Sequence, residues 1–109
     1  MVQINKLILV TAKHMPQHKY FVNIAKEIAS KLSVELEIRE EDYVFLSEHG
    51  EKDEFGMAWL PQLFIDIEGR IRPILTKLPI NEKTLSIDVE KAKNQIIETL
   101  KALGINIES

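Results

Sequence analysis

Cysteine is absent from the 109 residues of the chain. Disulfide bonds, thiolate metal sites and thiol nucleophiles are therefore excluded, whatever the fold. A surplus of positive charge is also absent, because seventeen Asp and Glu outnumber fourteen Lys and Arg and give a net charge of −3. This balance argues against general nucleic-acid binding, which needs a basic face to neutralise phosphates. No apolar run approaches the roughly 18 residues of a membrane span, and the N-terminus has no signal-peptide pattern, so we expect a soluble cytoplasmic protein without a membrane partner.

The composition that remains is that of an ordinary globular protein. Hydrophobic residues make up 45% of the chain and charged residues 28%, a balance that argues against disorder. The length is close to the common size of one domain, and the sequence shows neither an internal repeat nor a linker. We therefore predict a single domain over residues 1–109.

The amino-terminal part of the chain predicts a strand, a helix and a second strand. Residues 6–12 contain the short apolar run Leu7-Ile8-Leu9-Val10, which is typical of a strand buried on both faces. Apolar residues then recur at helical spacing from Phe21 to Leu32, and Pro16 suits the first turn of this helix. Residues 34–38 alternate apolar and charged side chains, which indicates a half-exposed strand at a sheet edge. Elements so close in sequence favour a βαβ unit with parallel strands.

A connection and a hairpin are predicted next. Residues 40–59 suit a short helix with loops on either side, and the run over residues 62–67 suits a second buried strand. Glu68-Gly69 is a candidate two-residue turn into an antiparallel strand over residues 70–76. Because proline cannot donate to an inner ladder, Pro73 places this strand at an edge.

A last helix is predicted after Asp88. Asp88 and Glu90 put acidic groups near its positive end, an apolar stripe runs from Val89 to Leu103, and Gly104 suits a cap. The order of elements is then β-α-β, a short helical connection and β-β-α. The chain is therefore predicted to have an α/β fold in which helices pack on a mixed four-stranded sheet.

This order and one local segment resemble the thioredoxin-like fold. The segment is Phe55-Gly56-Met57-Ala58-Trp59-Leu60-Pro61-Gln62-Leu63-Phe64-Ile65, and it is similar to the family pattern aromatic-Gly-apolar-x-x-apolar-Pro-x-apolar-apolar. The resemblance runs from Leu7 to about Leu103 and looks closest to the short glutaredoxin-like and thioredoxin-like proteins of archaea and bacteria. It implies that the Leu60-Pro61 peptide bond is cis and that Pro61 faces the family's active site.

The redox motif of that family has no counterpart here. Alignment of the first strand with residues 7–10 places Met15-Pro16-Gln17-His18 at the position of the family's Cys-x-x-Cys motif. Met15 and His18 stand where the two cysteines would be, so disulfide exchange is excluded, because it requires a thiolate. Leu78-Pro79-Ile80-Asn81 stands where glutaredoxins carry Gly-Gly-x-Asp. This difference argues against glutathione binding, and no cofactor is expected.

The amino end of the first helix would keep an anion-binding character without the cysteines. Its backbone N–H groups and partial positive charge would point at the former redox site, with Lys13, His14, His18 and Lys19 beside it. A phosphate, a carboxylate or an acidic side chain of a partner would suit such a helix end. The favoured interpretation is that Lys13 and Lys19 are ordinary solvated charges and that the helix end binds water.

The residue before the proline is a second feature that the resemblance implies. In the family its backbone pairs with an extended substrate segment, as an added strand would. Here that residue is Leu60, and an exposed Leu60 and Trp59 near Met15 would form an apolar platform for a peptide. The sequence is equally consistent with a Trp59 that packs under residues 40–58.

His14 and His18 also suggest a metal hypothesis and an enzyme hypothesis. If the helix begins early enough, the two imidazoles share one face and would bind Zn²⁺ or Cu²⁺, although no third ligand is evident nearby. His18 would also suit a general base, but no second catalytic group accompanies it.

The leading hypothesis is a non-catalytic thioredoxin-like domain that binds a partner protein or peptide at the former redox site. The alternative is a binder of small molecules or anions at the amino end of the first helix, and an enzyme with non-thiol chemistry ranks last. The candidate binding residues are Lys13, His14, Met15, Pro16, Gln17, His18, Trp59, Leu60 and Pro61.

Overall fold

A computed structural model describes residues 3–107 as an α/β domain with four strands and three helices. The strands are β1 (Ile4–Thr11), β2 (Glu35–Glu40), β3 (Gln62–Ile67) and β4 (Arg70–Leu75), and the helices are α1 (His18–Leu32), α2 (Tyr43–His49) and α3 (Val89–Ala102). The strand order is β2-β1-β3-β4, with β1 parallel to β2 and the other two pairs antiparallel. The predicted α/β class and the mixed four-stranded sheet are thus confirmed. None of the helices among residues 3–107 is long and apolar enough to cross a bilayer.

Helices cover both faces of the sheet, and the side chains of β1 alternate between the two resulting core clusters. Leu7 and Leu9 belong to a core cluster with buried residues of α1 and α3. Ile8 and Val10 belong to a second cluster with buried residues of α2. The central strand is therefore apolar on both sides, as its continuous hydrophobic run predicts. Helices α1 and α3 pack on one face and α2 packs on the other.

The start of α1 differs from the prediction. The sequence places Pro16 in the first turn, but α1 begins at His18 with Gln17 as its N-cap. Two turns precede the helix, since the Met15 N–H donates to the Ala12 carbonyl at 3.0 Å and the His18 N–H donates to the Met15 carbonyl at 3.1 Å. Pro16 lies within these turns, where its missing N–H costs no helical hydrogen bond.

Local signals around the hairpin and α3 are confirmed. Glu68 and Gly69 have φ values of 53° and 87°, the two positive values of a turn that follows the twist of paired strands. The Asp88 carboxylate accepts the Lys91 N–H at 3.0 Å and caps α3. Gly104 follows the helix with a φ of 86°, a value that suits glycine.

The connection between β2 and β3 contains the short helix predicted for it. Helix α2 buries Phe45 and Leu46 against the sheet. Its amino end is capped by the Asp42 carboxylate, which accepts the Phe45 N–H at 3.0 Å. Tyr43 and Val44, on the other side of the helix, face solvent.

Acidification is expected to lower the free energy of unfolding. A hydrogen bond from Lys6 lowers the pKa of Glu37, and a hydrogen bond from Lys93 lowers the pKa of Glu27, in both cases from an ordinary value of 4.5. The unfolded chain therefore takes up protons at a higher pH than the folded chain does. The stabilisation is present above pH 4.5 and is lost as the pH falls through the lower folded-state values. Urea unfolding at neutral and acidic pH should show a lower midpoint in acid.

A pair of variants assigns this pH dependence to the ion pairs. Glu37→Gln should reduce the difference between the neutral and the acidic midpoint, because its carboxyl group no longer titrates. Glu82 makes no ion pair within residues 3–107, so Glu82→Gln should keep the full difference. Equal pH dependence in the wild type and in Glu37→Gln would contradict this assignment.

Candidate functional site

The candidate site is a groove where the amino end of α1, the segment before β3 and the end of β4 meet. We call it the Trp59 groove. Because β3 and β4 are antiparallel, with Leu63 opposite Leu75, the residues before β3 lie beside those after β4. The groove has a volume of about 380 Å³ and is lined by Gln17, Trp59, Leu60, Pro61, Thr76, Lys77 and Leu78.

Four of the predicted binding residues come together in this groove. Gln17 comes from the amino end of α1, and Trp59, Leu60 and Pro61 come from the segment before β3. The Leu60-Pro61 peptide bond is cis, as the resemblance implies.

The indole of Trp59 has a fixed direction. Its ring N–H donates to the Thr76 carbonyl at 2.8 Å, just beyond the end of β4. The Lys77 ammonium group lies 5.2 Å from the centre of the ring, a cation–π distance. The side chain is half-buried and lines the groove. Trp59 therefore presents an aromatic wall at the groove.

Leu60 corrects the expectation of an exposed side chain. Only 8% of Leu60 is exposed, and its side chain packs in the core cluster on the α2 face, with Met15 packed against the same cluster. Leu60 thus extends the apolar cover of this face to the segment just before β3. Among residues 3–107, no hydrogen bond uses the backbone N–H or C=O of Leu60. Leu60 therefore turns its side chain into the core and keeps a backbone N–H and C=O without a partner among residues 3–107.

The fully buried Gln62 holds the segment that carries Trp59. Its side-chain amide N–H groups donate to the Trp59 carbonyl at 2.7 Å and to the Glu51 carbonyl at 3.0 Å. Its side-chain oxygen accepts the Glu51 N–H at 2.9 Å. One buried side chain thus joins both ends of the Glu51–Trp59 segment. The sequence pattern predicts Gln62 at the start of a strand, but nothing in the pattern indicates this role.

Gly50 lies next to the side chain of Gln62, just before Glu51. A Cβ atom at Gly50 would lie 2.7 Å from the Leu46 carbonyl oxygen and 3.3 Å from the side-chain amide of Gln62. The Gly50 N–H donates to that same carbonyl at 2.8 Å and ends α2. Glycine is therefore required here by the close approach of the backbone to the end of the helix.

The other residues predicted around the amino end of α1 do not line the groove. The Nδ1 atom of His18 forms a hydrogen bond of 2.9 Å with the hydroxyl of the fully buried Thr11. The Lys13 ammonium group lies 3.4 Å from the Glu40 carboxylate. His14 and Pro16 are exposed in the turns before the helix, outside the groove.

The proposed sharing of one helix face by His14 and His18 is wrong. Helix α1 begins at His18, so His14 lies in the turns before the helix. The helical spacing that would put both imidazoles on one face therefore does not apply to this pair. Within residues 3–107, no three His, Asp or Glu side chains form a cluster that could hold a metal ion.

Three groove residues, Thr76, Lys77 and Leu78, were missed by the sequence analysis. They follow β4 directly, and Leu78 had been named only in the segment that replaces the glutaredoxin Gly-Gly-x-Asp motif. The available signal was topological: an antiparallel return strand brings its end beside the start of β3, and hence beside Pro61.

Comparison with known proteins finds no family model, curated protein or solved structure that matches this chain.

Proposed function

We propose that this chain is a thioredoxin-like domain without redox chemistry that binds an extended peptide segment of a partner protein in the Trp59 groove. The observation that carries the proposal is the combination at Leu60 of a buried side chain and a backbone that no described residue uses. A backbone N–H and C=O without partners can pair with an added strand, and an extended peptide supplies a donor and an acceptor at once.

The thioredoxin-like assignment is supported by the arrangement of the elements. The β-α-β and β-β-α halves and the mixed four-stranded sheet agree with the order of elements on which the resemblance rests. The amino end of α1 and Pro61 also meet at one groove. In that family, this is the place where substrates bind.

The walls of the groove suit a peptide with an apolar and an acidic side chain. Trp59 supplies a large, rigid aromatic surface of the kind that dominates binding energy at interfaces. Lys77, above the indole, supplies one positive charge at the rim. Backbone pairing with Leu60 would set the register, and the two walls would select the side chains.

The alternative function, anion binding at the amino end of α1, has weaker support. The imidazole of His18 is turned to Thr11, and Lys13 is paired with Glu40. Within the described residues, no side chain caps this helix end. That feature alone would attract water as readily as an anion.

A peptide selection tests the proposal. Displayed random heptapeptides are selected on the folded protein, and the enriched peptides are measured by calorimetry and by the fluorescence of Trp59, the only tryptophan. We expect saturable binding and a shift of the Trp59 emission. Trp59→Ala, followed by calorimetry, should weaken binding roughly tenfold or more. N-methylation of the one peptide amide that pairs with Leu60 should abolish binding.

Matched controls separate the outcomes. Tyr20→Ala removes an exposed aromatic ring outside the groove and should leave the affinity unchanged. Phosphate and sulfate are titrated in parallel, and a saturable response to these anions without peptide binding would favour the alternative. Enriched peptides that bind Trp59→Ala and the wild type equally would refute the groove as their site.

A further inference from the structure

The connection between β2 and β3 concentrates the negative charge of the chain. Residues 40–57, which we call the acidic connection, contain seven of the seventeen carboxylates and only one of the fourteen Lys and Arg, Lys52. The rest of the chain has ten carboxylates and thirteen Lys and Arg. The sequence is therefore divided into a strongly acidic segment and a weakly basic remainder, and two residues of the remainder, Lys13 and Arg39, pair with Glu40 and Asp42 of the segment.

The acidic connection also exposes large apolar side chains. Phe55 is 82% exposed, Val44 70% and Met57 65%, and Tyr43 is exposed as well. These four are half of the exposed large hydrophobic residues among residues 3–107. Single exposed apolar residues are common on protein surfaces, but Phe55 and Met57 lie two residues apart on one turn, and neighbouring exposed apolar side chains are typical of an interaction surface.

The turn that carries Phe55 and Met57 is held by hydrogen bonds. The Asp53 carboxylate accepts the N–H groups of Phe55 and Met57 at 2.9 and 3.0 Å. The Asp53 N–H donates to the Met57 carbonyl at 2.9 Å, and Lys52 pairs with Ala58 as an antiparallel bridge. The exposure of Phe55 therefore belongs to a defined conformation, and binding a partner would not have to order this turn.

We infer that the acidic connection is a docking surface for a basic protein segment that carries large apolar side chains. Charge complementarity selects this partner, because Lys and Arg would meet the carboxylates while apolar side chains cover Phe55 and Met57. The same carboxylates would repel nucleic acid and anionic membranes. The inference is independent of the proposed function, since none of these residues lines the Trp59 groove.

A second copy of the chain fits this surface less well. The remainder of the chain carries a surplus of only three positive charges, whereas the acidic connection carries a surplus of six negative ones. Two copies each have a net charge of −3, so they repel one another at long range.

A labelled model peptide tests the inference. The probe is a fluorescein-labelled amphipathic peptide of Lys and Leu, and a peptide of Glu and Leu with the same pattern is the control. Fluorescence anisotropy at low and high salt should show saturable binding of the basic peptide alone, weakened by salt. The double variant Phe55→Ser, Met57→Ser should weaken binding roughly tenfold at both salt concentrations. Glu48→Lys, Glu54→Lys should weaken it mainly at low salt.

Matched variants outside the acidic connection show whether binding is local. Leu85 is exposed, and Leu85→Ser and Glu82→Lys should leave the affinity unchanged. If these variants weaken binding as much as those in the connection, or if the acidic peptide binds equally well, the inference is overturned. Sedimentation velocity of the protein alone gives a further check. Self-association that the Phe55→Ser, Met57→Ser variant abolishes would assign the surface to a second copy and would also overturn it.

Discussion

Replacing Phe64 by Ala is expected to lower the free energy of unfolding by about 3–5 kcal/mol. Phe64 lies in β3, is fully buried and is among the largest buried side chains of the domain. Its ring meets the ring of Phe45 edge-on, with 5.0 Å between the ring centres, so it links the sheet to α2. Truncation would remove apolar contacts and leave a cavity that a strand in the middle of a sheet cannot close by moving. The loss is measured from urea unfolding curves followed by circular dichroism.

A second phenylalanine supplies the matched control for Phe64. Phe55→Ala makes the same chemical change at a side chain that is 82% exposed. Its effect should stay within about 0.5 kcal/mol, as for most surface substitutions. If the two variants unfolded at similar urea concentrations, the burial of Phe64 against α2 would not account for the stability of this face.

The elements of the fold could largely be predicted from the sequence, because their patterns are local. The alternation of β1 between two core clusters follows from a run of apolar residues, and the start of α3 follows from Asp88 and the stripe behind it. The hairpin follows from Glu68-Gly69. Boundaries were less accurate, as at Pro16, where two turns delay the helix. A helical period identifies the buried face of a helix but not its first residue.

The candidate site could be predicted only in part, because it depends on the direction of individual side chains. The sequence suggested that Leu60 faces a ligand, but the core on the α2 face takes its side chain. The imidazole of His18 forms a hydrogen bond with Thr11, a residue that the sequence pattern predicts only as part of a strand. Thr76 and Lys77 enter the groove through strand pairing, over a separation in sequence that no local motif covers.

The Trp59 groove depends on a residue outside it, Gln62. Trp59 is held from one side by its hydrogen bond to Thr76 and from the other by the bond from Gln62 to its carbonyl. Glu51 adds a further link, because its carboxylate accepts the Thr76 hydroxyl while its backbone pairs with Gln62. The position of the aromatic wall is therefore set by a buried polar side chain at the start of β3.

Replacing Gln62 by Leu is accordingly expected to lower the free energy of unfolding by about 2–4 kcal/mol. Leucine nearly preserves the volume, but three backbone groups of Glu51 and Trp59 lose their hydrogen-bond partner. Hydrogen exchange at the Glu51 amide should become faster, and the Trp59 emission should move towards that of an exposed indole. Urea unfolding measures the loss of stability.

Gln95→Leu is the matched control, because Gln95 is exposed on α3 and its side chain makes no hydrogen bond within residues 3–107. It should change neither the urea midpoint nor the Trp59 emission. Equal urea midpoints for Gln62→Leu and Gln95→Leu would show that water replaces the hydrogen bonds of Gln62 without loss of stability. A Gln62→Leu variant with a lower urea midpoint but a native Trp59 emission would separate the two roles of Gln62. Gln62 would then stabilise the fold, and the hydrogen bond to Thr76 alone would set the position of Trp59.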